Sequence, residues 1–218
     1  MIDDGFSLDV VRKTKVVFNQ FFDYAVQHGF VANNPTHLTK VKSNERKIYD
    51  SENRYKALPP EIRDKFLACL NENTFLKPLC LCMMLAGLRT GETLALRWKD
   101  IDFQNKTINV ERAITVVPKF DSSGKVIERK TVISDTKTTC SKRVVPMPEL
   151  LIQTLQDYKI SQDINGDEHN INLTSENSLV FCNNYGTVRT YYGTKKIFYR
   201  FLEKYGLDKY NIHFHTLR

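Results

Sequence analysis

A chain of 218 residues is long enough for one full domain and part of another. Its hydrophobic content of 41% supports an ordinary globular core, while a net charge of +7 and a pI near 9.1 favour a polyanionic partner. The acidic start Met1-Ile2-Asp3-Asp4 does not fit a secretory signal, and no apolar run is long enough to span a bilayer.

Ser7 is the expected N-cap of the first helix. There Val10, Thr14, Val17, Phe21 and Ala25 recur at helical spacing, and Gly29 closes the run. One amphipathic helix cannot bury its stripe alone, so it is expected to belong to a small helical unit cut short at its N-terminus. Arg12, Lys13 and Lys15 fall mostly off that stripe. Asn33-Asn34-Pro35 marks a turn, because the residue before proline avoids the helical region. Residues 40–57, with Lys40, Lys42, Arg46 and Lys47, read as a basic linker that is either plainly solvated or follows a phosphate backbone.

A second domain is expected over residues 58–218. Pro59-Pro60-Glu61 is a helix start, with proline in the first turn and an acid at the positive end of the dipole. The apolar run Leu79-Cys80-Leu81-Cys82-Met83-Met84-Leu85 predicts a buried helix that Gly87 ends, and a further helix begins near Thr90. Arg89 is thereby a guanidinium at a joint between two buried helices. Such a charge needs an anion: Glu92, a nearby aspartate, or a phosphate whose oxygens suit its planar fork.

Three short strands are expected next, at 107–111, at 126–127 or 131–133, and at 143–145. They fit an antiparallel meander. Pro148-Glu149 predicts another helix, 161–177 a mobile surface loop, and Ile197 to Tyr205 an aromatic helix ended by Gly206. The five cysteines read as free thiols in a reducing compartment. Cys80 and Cys82 point to different helix faces, so no metal is expected.

Three separated features share one chemical logic. Arg89 is the helix-joint guanidinium, Lys137 lies in a basic turn leading into a strand, and His215 and Arg218 are spaced to share one side of a helical turn. Together these cations would suit a pentacoordinate phosphate: arginines on the non-bridging oxygens, a lysine delivering a proton, and a histidine as acid or base. No carboxylate cluster with metal spacing appears, which argues against a two-metal route.

The same residues carry a family resemblance. Ala86-Gly87-Leu88-Arg89-Thr90-Gly91-Glu92, followed by Trp98-Lys99-Asp100-Ile101-Asp102, resembles the first signature box of the tyrosine recombinases, the phage-integrase family. Lys137-Thr138 with Ser141, Arg143 and Val145-Pro146 resembles its β-hairpin lysine segment, and His215-Thr216-Leu217-Arg218 the opening of its second box. The first helix with Asn34-Pro35 is similar to the end of the core-binding domain, and integrases of Gram-positive phages and conjugative elements are nearest in style.

The resemblance implies a mainly α fold with a small antiparallel β-sheet (α+β), preceded by a partial helical core-binding domain over residues 1–39. It implies site-specific recombination of double-stranded DNA through a 3′-phosphotyrosyl intermediate, in a bacterial cytoplasmic, nucleoid-associated protein that works with other protomers, a tetramer on DNA. No cofactor, metal or membrane is implied. Arg89 and Arg218 match the phosphate-binding arginines, Lys137 the general acid, His215 the first histidine of the second box, and Glu92 the support of Arg89. Arg12, Lys13, Lys15, Lys40, Lys42 and Arg143 are the expected DNA-binding cations. The family's nucleophilic tyrosine lies beyond the second box, and all ten tyrosines here precede it, so the 218-residue chain is expected to be inactive in cleavage. The alternatives are a non-catalytic DNA-binding fragment and a type IB topoisomerase-like protein.

Overall fold

The protein is represented by a computed structural model that describes residues 6–41, 58–135 and 142–218. Lys42, Lys137, Cys140 and most of the expected linker lie outside the described residues. The chain divides into two compact units, Met1–Arg54 and Tyr55–Arg218.

In the first unit, α1 (Leu8–Gln27) starts where the Ser7 side chain accepts the Val10 N–H, as its N-cap chemistry requires. The 3-10 turn Pro35–Leu38 is pinned to it by the buried Asn34. The Asn34 amide donates to the Asn19 carbonyl (3.2 Å) and to Asp23 Oδ1 (2.6 Å), while its Oδ1 caps the Thr36 N–H. The turn is short, so it covers little of the helix. Of the expected stripe only Ala25 is buried, and Val10, Val17 and Phe21 stay exposed.

The second unit is built around α2 (Pro60–Leu70), α3 (Leu76–Leu85), α4 (Thr90–Ala95), α5 (Glu149–His169) and α6 (Tyr191–Lys204). Phe66, Leu79, Leu88, Leu94, Leu151, Leu155, Phe181 and Phe198 are fully buried in one core. Because α3 is apolar on every side, it sits inside this core and not on its surface. Burial pushes the Cys82 thiol up to about 12 and that of Cys80 higher still, so neither is a ready thiolate.

The strands depart from the expected single meander. A three-stranded antiparallel sheet has the order β1 (Ile101–Asp102), β2 (Thr107–Val110) and β5 (Arg143–Pro146). Between β2 and β5 the chain leaves this sheet to form a separate hairpin, β3 (Arg112–Phe120) and β4 (Val126–Asp135). The two candidate pieces at 126–127 and 131–133 are therefore one strand, and its partner contains Pro118. Both strands of a two-stranded hairpin are edges, so a proline that cannot donate to a ladder is tolerated there. The hairpin closes at Asp121, whose Oδ1 accepts the N–H groups of Ser123 and Lys125.

The expected loop at 161–177 is also corrected, because α5 runs on to His169 and ends at Asn170 in the left-handed region. The cause is Gln162, which is buried and spends its amide inside the core. Its Oε1 accepts the Trp98 indole N–H (3.1 Å), and its Nε2 donates to the Val180 carbonyl (2.8 Å). This polar knot holds the middle of the helix where composition alone suggested a loop. Among the described residues no helix is long and apolar enough to cross a membrane.

Gly166 shows how closely the chain folds back on α5. A Cβ there would stand 2.4 Å from the Ile171 carbonyl oxygen, which is backbone and cannot swing aside. Alanine ordinarily favours a helix over glycine by about 1 kcal/mol. Gly166→Ala is nonetheless expected to destabilise the protein by about 1–3 kcal/mol through overpacking, read as a lower urea midpoint. An unchanged or higher midpoint would show that the return segment is not seated on the helix.

Candidate active site

Gly87, with φ of 63°, ends α3, and the chain re-enters helix at α4 with Arg89 in extended conformation as its N-cap. Arginine has no acceptor to offer the free N–H groups of the helix start. Glu92, at the third helical position, supplies one in return: its Oε2 accepts the Arg89 backbone N–H at 2.8 Å. The Glu92 Oε1 accepts from the Arg89 side chain, Nη1, at 2.7 Å. This half of a capping box fixes both ends of Arg89 relative to α4.

A second guanidinium reaches the same carboxylate from the sheet. Arg143, at the start of β5, sends Nη1 to Glu92 Oε1 (3.1 Å) and Nη2 to Oε2 (2.8 Å). The Glu92 side chain is 3% exposed, that of Arg143 28% and that of Arg89 57%. Burial pushes the Glu92 carboxyl up. The hydrogen bonds from Arg143 and from the backbone and side chain of Arg89 outweigh it and hold the group at about 2. Arg89 itself gives one N–H to the carboxylate, and its remaining guanidinium N–H groups have no partner among the described residues.

Gly91 lets this joint close against the hairpin. A Cβ on it would sit 3.1 Å from the Ile114 carbonyl of β3, tighter than most real contacts. Eight residues later, after α4, the same pattern recurs with a more buried arginine. The Arg97 backbone N–H is accepted by Asp100 (2.9 Å), and Asp100 is gripped at 2.5 Å by Arg112 from β3, whose side chain is 16% exposed. Burial pushes the Arg112 guanidinium down, and Asp100, together with the nearby carboxylates of Glu111 and Asp135, more than offsets it.

The second-box residues occupy the 3-10 turn Phe214–Leu217, which packs on α3, the helix that leads into Arg89. Buried Phe214 and Leu217 anchor this turn in the same core as Leu88, while His215 and Arg218 are exposed. His213 is half-buried with Nδ1 2.8 Å from the Asn211 carbonyl, so it serves the backbone and leaves His215 as the solvent-facing ring. Lys137 falls outside the described residues, although Arg143, six places on, lies within them. Of the expected DNA-facing cations in the first unit, Arg12 and Lys40 are exposed, Lys13 pairs with Asp9 (2.7 Å), and Lys15 donates to the Thr39 carbonyl (2.5 Å). The described residues contain no group of three or more His, Cys, Asp or Glu placed to hold a metal ion.

The carboxylate bridge yields a pH dependence. Glu92 has its folded value depressed from the usual 4.5, so its contribution is complete above about pH 4.5 and is lost as pH falls towards 2. Glu92→Gln should therefore cost on the order of 2–4 kcal/mol at pH 7, read by urea unfolding, with the gap to the parent shrinking through pH 4 to pH 2. A pH-independent gap would mean that the carboxylate charge is not what the two arginines hold.

Comparison with known proteins places the chain in a family. Residues 53–218 match the phage integrase family. The chain is 33% identical over 165 residues to a tyrosine recombinase XerC-like protein of Caldanaerobacter subterraneus subsp. tengcongensis, covering 74% of this chain and 41% of that protein. It is 27% identical over 164 residues to the ICEBs1 integrase of Bacillus subtilis, covering 75% of this chain and 40% of the relative. It thus spans about two-fifths of the length of these curated relatives. Among solved structures, the Tn1549 transposon integrase in complex with a circular intermediate DNA matches at a TM-score of 0.69 and 20% identity, over 100% of this chain and 66% of that one. A crystal structure of XerA recombinase matches at 0.50 and 18% identity, over 74% and 47%. These likenesses are to the fold, which agrees with the mainly helical unit and its small antiparallel sheets. The chain belongs to the phage integrase family, the family of the tyrosine recombinases.

Proposed function

We propose that this chain binds double-stranded DNA and serves site-specific recombination by strand cleavage and rejoining, in company with other recombinase protomers. The observation that supports it best is Arg89: one side-chain N–H fixed by a buried carboxylate, the rest of its fork exposed and without a partner among the described residues. A guanidinium oriented before the substrate arrives can receive two phosphate oxygens without reorganising. Its relatives, a XerC-like tyrosine recombinase and the ICEBs1 integrase, fit the same activity.

In this reading Arg89 and Arg218 neutralise the non-bridging oxygens of the scissile phosphate. His215 assists at a third oxygen, and Lys137 protonates the departing 5′-oxygen. Packing of the Phe214–Leu217 turn against α3 supports the convergence of His215 and Arg218 on Arg89. Arg12, Lys15, Lys40 and Lys42 track the phosphate backbone outside the cleavage site. The cellular setting that follows is the bacterial cytoplasm, at the nucleoid.

Binding of a short labelled duplex, followed by fluorescence anisotropy, should weaken steeply with salt, the logarithmic slope rising by about 0.9 for each phosphate neutralised. Arg89→Gln should lower the slope by about that one unit and the low-salt affinity by about tenfold. Absence of binding at low salt would remove the proposal, and an unchanged Arg89→Gln slope would remove Arg89 from the phosphate.

A cleavage assay separates binding from chemistry. The family's nucleophile is a tyrosine beyond the second box, and every tyrosine of this sequence precedes it. A polypeptide of these 218 residues, offered a nicked suicide substrate, should leave no protein–DNA adduct on a denaturing gel, because none of its tyrosines matches the family's nucleophile and in-line placement of that group supplies a large share of the acceleration. An adduct mapping to any of the ten tyrosines would overturn this.

A further inference from the structure

Glu92 receives four hydrogen bonds, about as many as a carboxylate has lone-pair directions to offer. Two come from Arg143, one oxygen to each Nη, in the side-by-side geometry that a guanidinium and a carboxylate favour. Arg89 contributes one side-chain N–H and one backbone N–H. The two cations are therefore bound differently: Arg143 presents both Nη groups to Glu92, whereas Arg89 presents one and keeps most of its fork exposed.

The charge sum gives this asymmetry a consequence. Arg89 and Glu92 alone would form a neutral pair, and a phosphate approaching Arg89 would meet a full carboxylate charge directly behind it. At the separation of adjoining side chains, that repulsion cancels most of what the guanidinium gains. With Arg143 present, three groups sum to one positive charge, and the exposed member carries it towards solvent. The neighbouring Asp100–Arg112 pair shows a version with no such outlet. There the strand arginine is mostly buried, and the residue before the helix turn, Arg97, meets the carboxylate through its backbone N–H.

We propose that Arg143 is a positioning residue that neutralises and orients Glu92 so that Arg89 keeps its full charge for a phosphate, instead of being itself a DNA-contacting cation. The proposal rests on the reading of Arg89 as a phosphate ligand. It assigns to β5 a part in the site beyond presenting the lysine segment that precedes it in sequence. It also explains why a strand residue 51 places away is carried back to α4.

A charge-cancelling pair of substitutions tests it. Arg143→Gln leaves Glu92 facing Arg89 alone and should weaken duplex binding by about tenfold at low salt, with its Glu92 carboxyl titrating at higher pH in a 13C NMR titration. Glu92→Gln with Arg143→Gln removes both charges and leaves an amide oxygen to hold Arg89, and it should return affinity to within about threefold of the parent. A direct DNA contact by Arg143 would be missing from both variants, so a double variant that stays tenfold or more weaker overturns the proposal. Should Arg143→Gln alone fail to fold, the double variant, which buries no unpaired charge, decides the matter against the parent. Arg89→Gln is the control on the underlying reading: if it binds like the parent, that reading fails, whatever the Arg143 variants do.

Discussion

A single buried carboxylate, Glu92, holds two guanidiniums from distant parts of the chain, and the arrangement of the second unit follows from that constraint. Glu92 reaches Arg89 because α3 ends at Gly87 in a left-handed turn and α4 restarts with Glu92 three places into the joint. It reaches Arg143 because β5 pairs with β2, with Arg143 opposite Val110, at the edge of the core. Breaking such a buried pair leaves an uncompensated charge, a cost on the order of 3–5 kcal/mol. The fold therefore cannot relax the joint without paying a large fraction of its net stability. The same rigidity leaves Arg89 exposed in one orientation, which a phosphate-binding group needs.

The carboxylate bridge is framed by apolar packing on both sides of the sequence. Leu88 before it and Leu94 after it are fully buried, so the polar joint is a short interruption in a continuous core. Phe214 and Leu217 enter that core from the last described turn, leaving His215 and Arg218 on its surface. Exposed cations standing on buried anchors are what a site for a polyanion requires: the charge faces solvent and the scaffold beneath it does not yield.

Parts of this were legible in the sequence for definite reasons. The helix joint at Arg89 showed because an all-apolar run, a glycine and an acid three residues on are local signals. Glu92 stands among the candidate anions for Arg89 because it lies three residues on, and the family resemblance points to it as the support of Arg89. The Arg143–Glu92 contact was invisible, since 51 residues separate the partners and only strand pairing brings them together. The extension of α5 through Gln162 was missed because a stretch rich in Asn, Asp and Ser reads as loop, and its tertiary bonds to Trp98 and Val180 leave no trace in composition. The hairpin is half legible: the β-branched pieces of β4 read as strand, while Pro118 obscures the partner that only a two-stranded edge tolerates. On α1, periodicity gives the helix correctly, and of the stripe that one helix cannot bury alone only Ala25 is buried.

The central claim is that Arg89, oriented by Glu92, grips a DNA phosphate together with Arg218 and His215. The most direct measurement is the position of a bound duplex in a crystal structure of the complex. The account predicts one backbone phosphate within hydrogen-bonding distance of the Arg89 guanidinium, roughly 2.7–3.2 Å, with His215 or Arg218 on the same phosphate and Arg143 still on Glu92. A duplex seated on another face, with Arg89 in solvent and no phosphate near it, would contradict it.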